Sequence, residues 1–541
     1  MRSPNLKLST LLLLSILFST LGCARLSIPL PSAEFAETSP PERTMTKPET
    51  GTQNTLETPT ESPVPASQTM PSPTPEPLQT VTAAPTASPP SEEPAPSVED
   101  QTNTPSPTAT ALPTIPPVNM DIAVYETSIT LNSYGWEQAY VPSTPDKAYY
   151  PYPELNFEAV APPTPRTYNA IILENHYTRL TVLPELGGRI LRWEDKLTGN
   201  TLTYANPVIK PTHWGYRGWW LGTGGIEWAF PVEEHGLNEY RPWQYELLSS
   251  ENWRGIRVWD TDDRSGMDIS VSLRLYGGRS DVRIIPQISN ATAETHPLQF
   301  WINAMLTLSG SNAPSNALRF WVPTDTMIVH STGDGSLPGP RSTINWPYYE
   351  GRDFSTYTEW QRYLGLFASE AQGAVGAYDE ATKQGVLRTY PQGSPQGVKI
   401  FCLGDLSPDL YTDDGSRYFE LWGGYNRTFF PEDNIALAPG STISWEERWY
   451  PVHGIHSLSW GDKDIAIALQ TTGEDVIVEA YTPAVATHLL RLRQNEAVKA
   501  EWLASTSPEA PFLQTYAGAG AGWILEIWEE GTLKAEITPS P

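Results

Sequence analysis

The sequence predicts an all-β protein: a large antiparallel sandwich or barrel, a small β-module after it, and a disordered linker in front. Three features predict this. From Asp121 onward apolar residues recur with a period of two. No helical periodicity lasts three turns between Asp121 and Val452, and Gly, Pro and Asp signals interrupt the runs at short intervals. The 53 prolines of the 541 residues cluster before Asp121, which marks that part as linker and not a second core.

At the N-terminus, Arg2 and Lys7 precede an apolar run from Leu8 to Leu21, too short to span a bilayer comfortably. It ends in Thr20-Leu21-Gly22-Cys23, which resembles the bacterial lipoprotein processing box. The resemblance implies that residues 1–22 are a signal peptide and that Cys23 is lipidated and becomes the mature N-terminus. An ordinary signal peptide with an incidental Cys is the alternative. With no other hydrophobic segment of spanning length, the lipid is the expected anchor, at the bacterial cell envelope.

Residues 23–118 form the expected stalk. The segment is Pro, Thr, Ser, Ala and Glu, as in Pro71-Ser72-Pro73-Thr74-Pro75-Glu76-Pro77, and has too few large apolar groups to repay its ordering entropy. The whole chain carries a formal charge of -27, which repels phosphates and anionic headgroups. Nucleic acid is therefore excluded as a partner, and the membrane is reached only through the lipid. Cys23 and Cys402 are the two cysteines, too few for a disulfide framework; Cys402, in Val398-Lys399-Ile400-Phe401-Cys402-Leu403, reads as a small buried apolar residue.

The main body is expected over residues 119–454. Ile269, Val271, Leu273 and Leu275 alternate with Ser270, Ser272 and Arg274, and Gly277-Gly278-Arg279-Ser280 turns this strand into Val282 to Ile288. Thr178 to Leu183, Gln299 to Leu308, Val398 to Leu403, Arg417 to Trp422 and Thr442 to Tyr450 read as further strands. Residues 455–541 form the small module, with strands at Ile465 to Leu469, Val476 to Ala480, His488 to Leu492 and Ile524 to Trp528. The Ala517 to Gly522 run lacks a following helix and reads as a loop rather than a phosphate cradle.

The sequence contains no Gly-x-Ser-x-Gly elbow, P-loop or His-Glu-x-x-His motif. His453 and His456 leave a strand through Pro and Gly, and Asp260 to Gly266 reads as a hairpin turn, so neither makes a metal site. No metal and no cofactor is implied. The stretch from Trp214 to Gly236 interleaves Trp, Tyr, Gly, Arg, Glu and His. Aromatic faces stack on the C–H face of a pyranose while Arg and carboxylates bind its hydroxyls; plain core packing of these tryptophans is the alternative. Glu420, inside Tyr418-Phe419-Glu420-Leu421-Trp422, is a carboxylate in an aromatic strand, poised for proton transfer if it faces inward.

Leu173-Glu174-Asn175-His176-Tyr177, followed by Leu180-Thr181-Val182-Leu183-Pro184-Glu185-Leu186-Gly187-Gly188-Arg189-Ile190, resembles the opening strands of galactose mutarotase-like domains. Asn206 to Pro211, Gly224-Gly225-Ile226-Glu227 and Phe230-Pro231 look like an uncharacterised branch of that superfamily, other members of which carry tetratricopeptide repeats. Phe419 to Gly423 and Leu437 to Ser441, followed by Trp445 and Trp449, resemble its closing strands. The resemblance covers about Asp121 to Val452 and implies a large antiparallel β-supersandwich. It implies His235 as the acid that protonates a sugar ring oxygen and Glu420 as the base at the anomeric hydroxyl, with Glu227 and Arg217 holding the sugar. Trp220, Trp228 and Arg189 complete the expected substrate-binding set. His235 sits in Glu233-Glu234-His235-Gly236, which departs from the mutarotase acid motif.

Three readings follow. In the first, an envelope lipoprotein binds carbohydrate, a glycan or a monosaccharide, and acts on it, if at all, as an aldose epimerase does. In the second, a polysaccharide hydrolase or lyase uses paired carboxylates such as Glu227 and Glu420, about 5–10 Å apart. The third is a structural or adhesion domain without a ligand.

Overall fold

The structure, a computed structural model, describes residues 120–393 and 397–539. The processing box with Cys23 and the Pro-rich residues 23–118 lie outside the described residues. Among those described there is no α-helix; strands are joined by turns and a few single 3-10 turns.

Two large sheets make the body. The 14-stranded sheet begins with Thr343–Asn345, Thr326–Thr332, Leu364–Phe367, Gly397–Cys402, Phe419–Gly424, Trp301–Leu306 and Ile226–Ala229 as successive neighbours. It continues through Arg189–Asp195, Thr178–Leu183, Ala161–Asn175 and Ile122–Gly135, and ends at Ala205–Thr212 and Trp220–Gly224. The 9-stranded sheet includes the Asp268–Tyr276 and Val282–Ser289 hairpin read from the sequence. Its neighbour is Glu447–His453. The run from Thr442 to Tyr450 is two strands, Thr442–Ser444 and Glu447–His453, pairing with different parts of Val282–Ser289.

Alternation decides what lies between the sheets. Ile226, Trp228, Ile302, Ala304, Leu421 and Ile400 face Ile269, Val271, Leu273 and Ile284 in one continuous core. Each such aliphatic or aromatic side chain contributes roughly 1.5–3 kcal/mol by leaving water. Cys402 belongs to this core, as its apolar surroundings in the sequence suggested.

The C-terminal strands form two four-stranded sheets around Ile467, Val478, Leu490, Leu525 and Ile527. They pack on the body: Tyr378, Leu387 and Tyr450 share a cluster with Ala466, Ala468 and Tyr481. The Ala517 to Gly522 run links Phe512–Ala517 to Trp523–Glu529, crossing from one of these sheets to the other.

Candidate functional site

The site is built on the face of the 14-stranded sheet turned away from the core. Cross-strand register puts Glu227, Asn303, Trp422, Lys399 and Phe367 in one row, each opposite the next. A second row, two residues along, holds Met305, Glu420 and Phe401. The row between them, Ala304, Leu421 and Ile400, points into the core.

The loop after Ile226–Ala229 folds back over this face. Gly236 turns it with φ +72°, and a Cβ there would run into the Phe230 and Ala229 backbone. The Leu237 amide donates to the Phe230 carbonyl at 3.1 Å. The return lays His235 on Glu227, with Nδ1 2.6 Å from Oε1. The Trp220 ring stacks on the His235 imidazole, centroids 3.9 Å apart.

Glu227 is saturated. Besides His235, Asn303 Nδ2 donates to Oε1 at 3.1 Å and Trp220 Nε1 to Oε2 at 3.1 Å. Arg189 Nη1 lies 3.2 Å from Oε2 as an ion pair without the alignment of a hydrogen bond. Burial pushes the Glu227 carboxyl up, but His235 and Arg189 outweigh it and hold the pKa below the usual value. Burial alone would pull His235 down; the Glu227 carboxylate lifts it above the ordinary histidine value. Nδ1 is thus committed to Glu227, and among the described residues Nε2 has no hydrogen-bond partner and is left for the pocket.

Glu420 shares that pocket with His235, Trp220, Trp422 and Lys399, around about 550 Å³ of space including its open mouth. Trp422 Nε1 donates to Glu420 Oε2 at 2.8 Å, and Asn303 Nδ2 reaches Oε1 at 3.5 Å. Asn303 therefore touches both carboxylates. Burial raises the Glu420 pKa, against the opposing pull of Lys399 and His235. His235 and Glu420 thus stand in one aromatic-walled hollow, each with its pKa raised above the ordinary value.

The sequence-derived residues separate into three groups. His235, Glu420 and Trp220 line the pocket. Glu227 and Arg189 lie beneath it: Glu227 orients His235, and Arg189 is sealed among Glu227 and the Leu186 and Glu239 carbonyls. Arg217 and Trp228 do not reach the pocket. Arg217 pairs with Glu239 and stacks on Trp219, its guanidinium 3.9 Å from the ring centroid. Trp228 follows Glu227 on the same strand and so faces the opposite side, in the core, donating to the Gly188 carbonyl at 3.1 Å. Glu227 carries four partners, and one of them, Asn303, also reaches Glu420.

Sequence reading missed Asn303, Lys399 and Trp422. Their signal was present: Asn303 and Lys399 are polar residues inside apolar runs, and Trp422 lies two positions from Glu420 on its face.

Fold and site together define a β-sandwich protein with a pocket lined by His235, Glu420 and aromatic side chains on the outer face of its larger sheet. The chain belongs to the family described as a domain of unknown function, DUF5107, whose profile matches residues 145–452. A crystal structure of a TPR-domain containing protein from Parabacteroides distasonis is similar to it, with 22% identity over 62% of this chain and a TM-score of 0.55. The match covers 56% of that protein, so this chain spans about half its length. The chain is also similar to a galactose mutarotase-like protein from Clostridium acetobutylicum, with 12% identity, 53% of this chain, 96% of that one and a TM-score of 0.38. A galactose mutarotase-like protein from Lactobacillus casei matches at 9% identity over 52% of this chain and 99% of that one, with a TM-score of 0.37.

Proposed function

We propose that this protein is an exported, lipid-anchored envelope protein that binds a sugar in the Trp220–Trp422 pocket and interconverts its anomers. One observation carries the chemistry: His235 and Glu420, from distant parts of the chain, line the same pocket, with His235 held on Glu227 through Nδ1. His235 Nε2–H gives its proton to the ring oxygen while Glu420 takes the proton of the anomeric hydroxyl. The C1–O5 bond breaks and a free aldehyde forms. Rotation about C1–C2 and the reverse proton transfers close the ring on the other face, restoring both side chains. The Trp220 and Trp422 rings supply the apolar wall such a ring packs against.

Exchange NMR between the α and β anomers of galactose and glucose, with the full chain, tests this. Accelerated exchange abolished by Glu420→Gln is the expected result; binding without acceleration would leave a lectin-like role. A glycan array with no binding to any sugar would leave only the scaffold reading. The anchor rests on the Leu21-Gly22-Cys23 sequence. Palmitate labelling in a bacterial host should be lost in Cys23→Ala, and labelling that persists would overturn it.

A further inference from the structure

Lys399 has no part in the proton transfers just described, yet it is the odd charge in the pocket wall. It lies on the buried strand Gly397–Cys402, is 3% exposed, and lines the pocket. Its Nζ sits 4.2 Å from the Phe429 ring centroid, 4.6 Å from Trp422 and 5.2 Å from Phe401. These faces attract a cation but accept none of its three N–H bonds in the ordinary sense. Among the described residues no carboxylate lies within ion-pair distance of Nζ, although other buried cations are matched, Arg388 by Glu447 and Arg217 by Glu239. Burial draws the Lys399 pKa down to about 8, so the ammonium still predominates at neutral pH. A buried ammonium with unused donors is expensive, and the pocket is the open direction in which it can find an acceptor.

We infer that the pocket takes a sugar acid, a pyranuronate whose carboxylate seats on Lys399. This rests on the sugar-site reading above and names its substrate class. A monoanion fits better than a phosphate ester. Glu234 and Glu420 line the same pocket and would repel a dianion. His330, beside Lys399, is kept neutral by burial, and His235 is already paired with the Glu227 carboxylate. One ammonium matches one carboxylate.

Calorimetric titration of the full chain with galacturonate, glucuronate, galactose, glucose and galactose 6-phosphate tests the inference. Uronates should bind about tenfold or more tighter than the matching neutral sugars, the range of one charge-assisted hydrogen bond. Lys399→Met, which suits the aromatic cage, should remove that advantage, bringing each uronate to the affinity of its matching neutral sugar in the same variant. The wild-type comparison needs no variant, so misfolding of Lys399→Met would not blunt it. Equal binding of neutral and acidic sugars, or a preference for the phosphate ester, overturns the inference and leaves the sugar site standing. Absence of binding by every sugar removes both.

Discussion

His235 Nδ1 lies 2.6 Å from Glu227 Oε1, and both side chains are almost wholly withdrawn from solvent. Their linkage to stability has opposite signs. Glu227 is depressed below its ordinary 4.5, so its contribution is present above that pH and is lost as pH falls through the folded value. His235 is raised above 6.5, so its contribution is whole below that pH and is lost as pH rises through the folded value. The pair therefore stabilises most between pH 4.5 and 6.5. Glu227→Gln should flatten this dependence and cost about 3–5 kcal/mol, because Arg189 and His235 lose their counter-charge. Urea denaturation at several pH values measures both.

Glu420→Gln should separate activity from stability. Removing the proton acceptor should lower anomer exchange by about 10²–10⁴-fold. Because burial raises the Glu420 pKa, its ionised form costs stability as pH rises above the ordinary 4.5. The variant should accordingly gain stability at pH 8 relative to wild type and gain little at pH 4. Thermal melts at the two pH values check the sign.

Gly424 lies under the Trp301 indole, and a Cβ there would overlap the ring. Gly424→Ala should therefore displace Trp301 from its edge-on contact with Phe429, at 4.8 Å between centroids. The expected loss is about 1–3 kcal/mol. Chemical denaturation gives the magnitude, and a change in tryptophan emission would report the displacement.

Arg388 and Glu447 form a fully buried pair, at 2.7 Å through Nε and 2.8 Å through Nη2. Trp445 and Trp449 each donate to the same carboxylate at 3.0 Å. Arg388→Met alone should destabilise by about 3–5 kcal/mol, since the carboxylate keeps its charge without a cation. Adding Glu447→Leu should recover most of that loss, because two apolar side chains need no counter-charge. A double-mutant cycle that shows additive losses would refute the coupling.

Much of the body was legible along the chain. Thr178 to Leu183 and the Asp268–Tyr276 hairpin follow from alternation and turn residues, both local properties. Alternation also contains information that separates Glu227 from Trp228, since neighbours on a strand face opposite sides. Which of the two faces is the core is not local. It depends on where the second sheet packs, and that placed Glu227 at the pocket floor and Trp228 inside the sandwich.

The sequence by itself determined the strand periods, the all-β class and the identities of the aromatic and ionisable groups. Tertiary structure alone decided that Asn303 touches both Glu227 and Glu420, that Arg217 pairs with Glu239 away from the pocket, and that Lys399 faces three rings with no carboxylate at ion-pair distance among the described residues. Backbone patterning acts over a few residues. Charge pairing and desolvation depend on distance in space, and the sheet register sets that distance between segments remote in the chain.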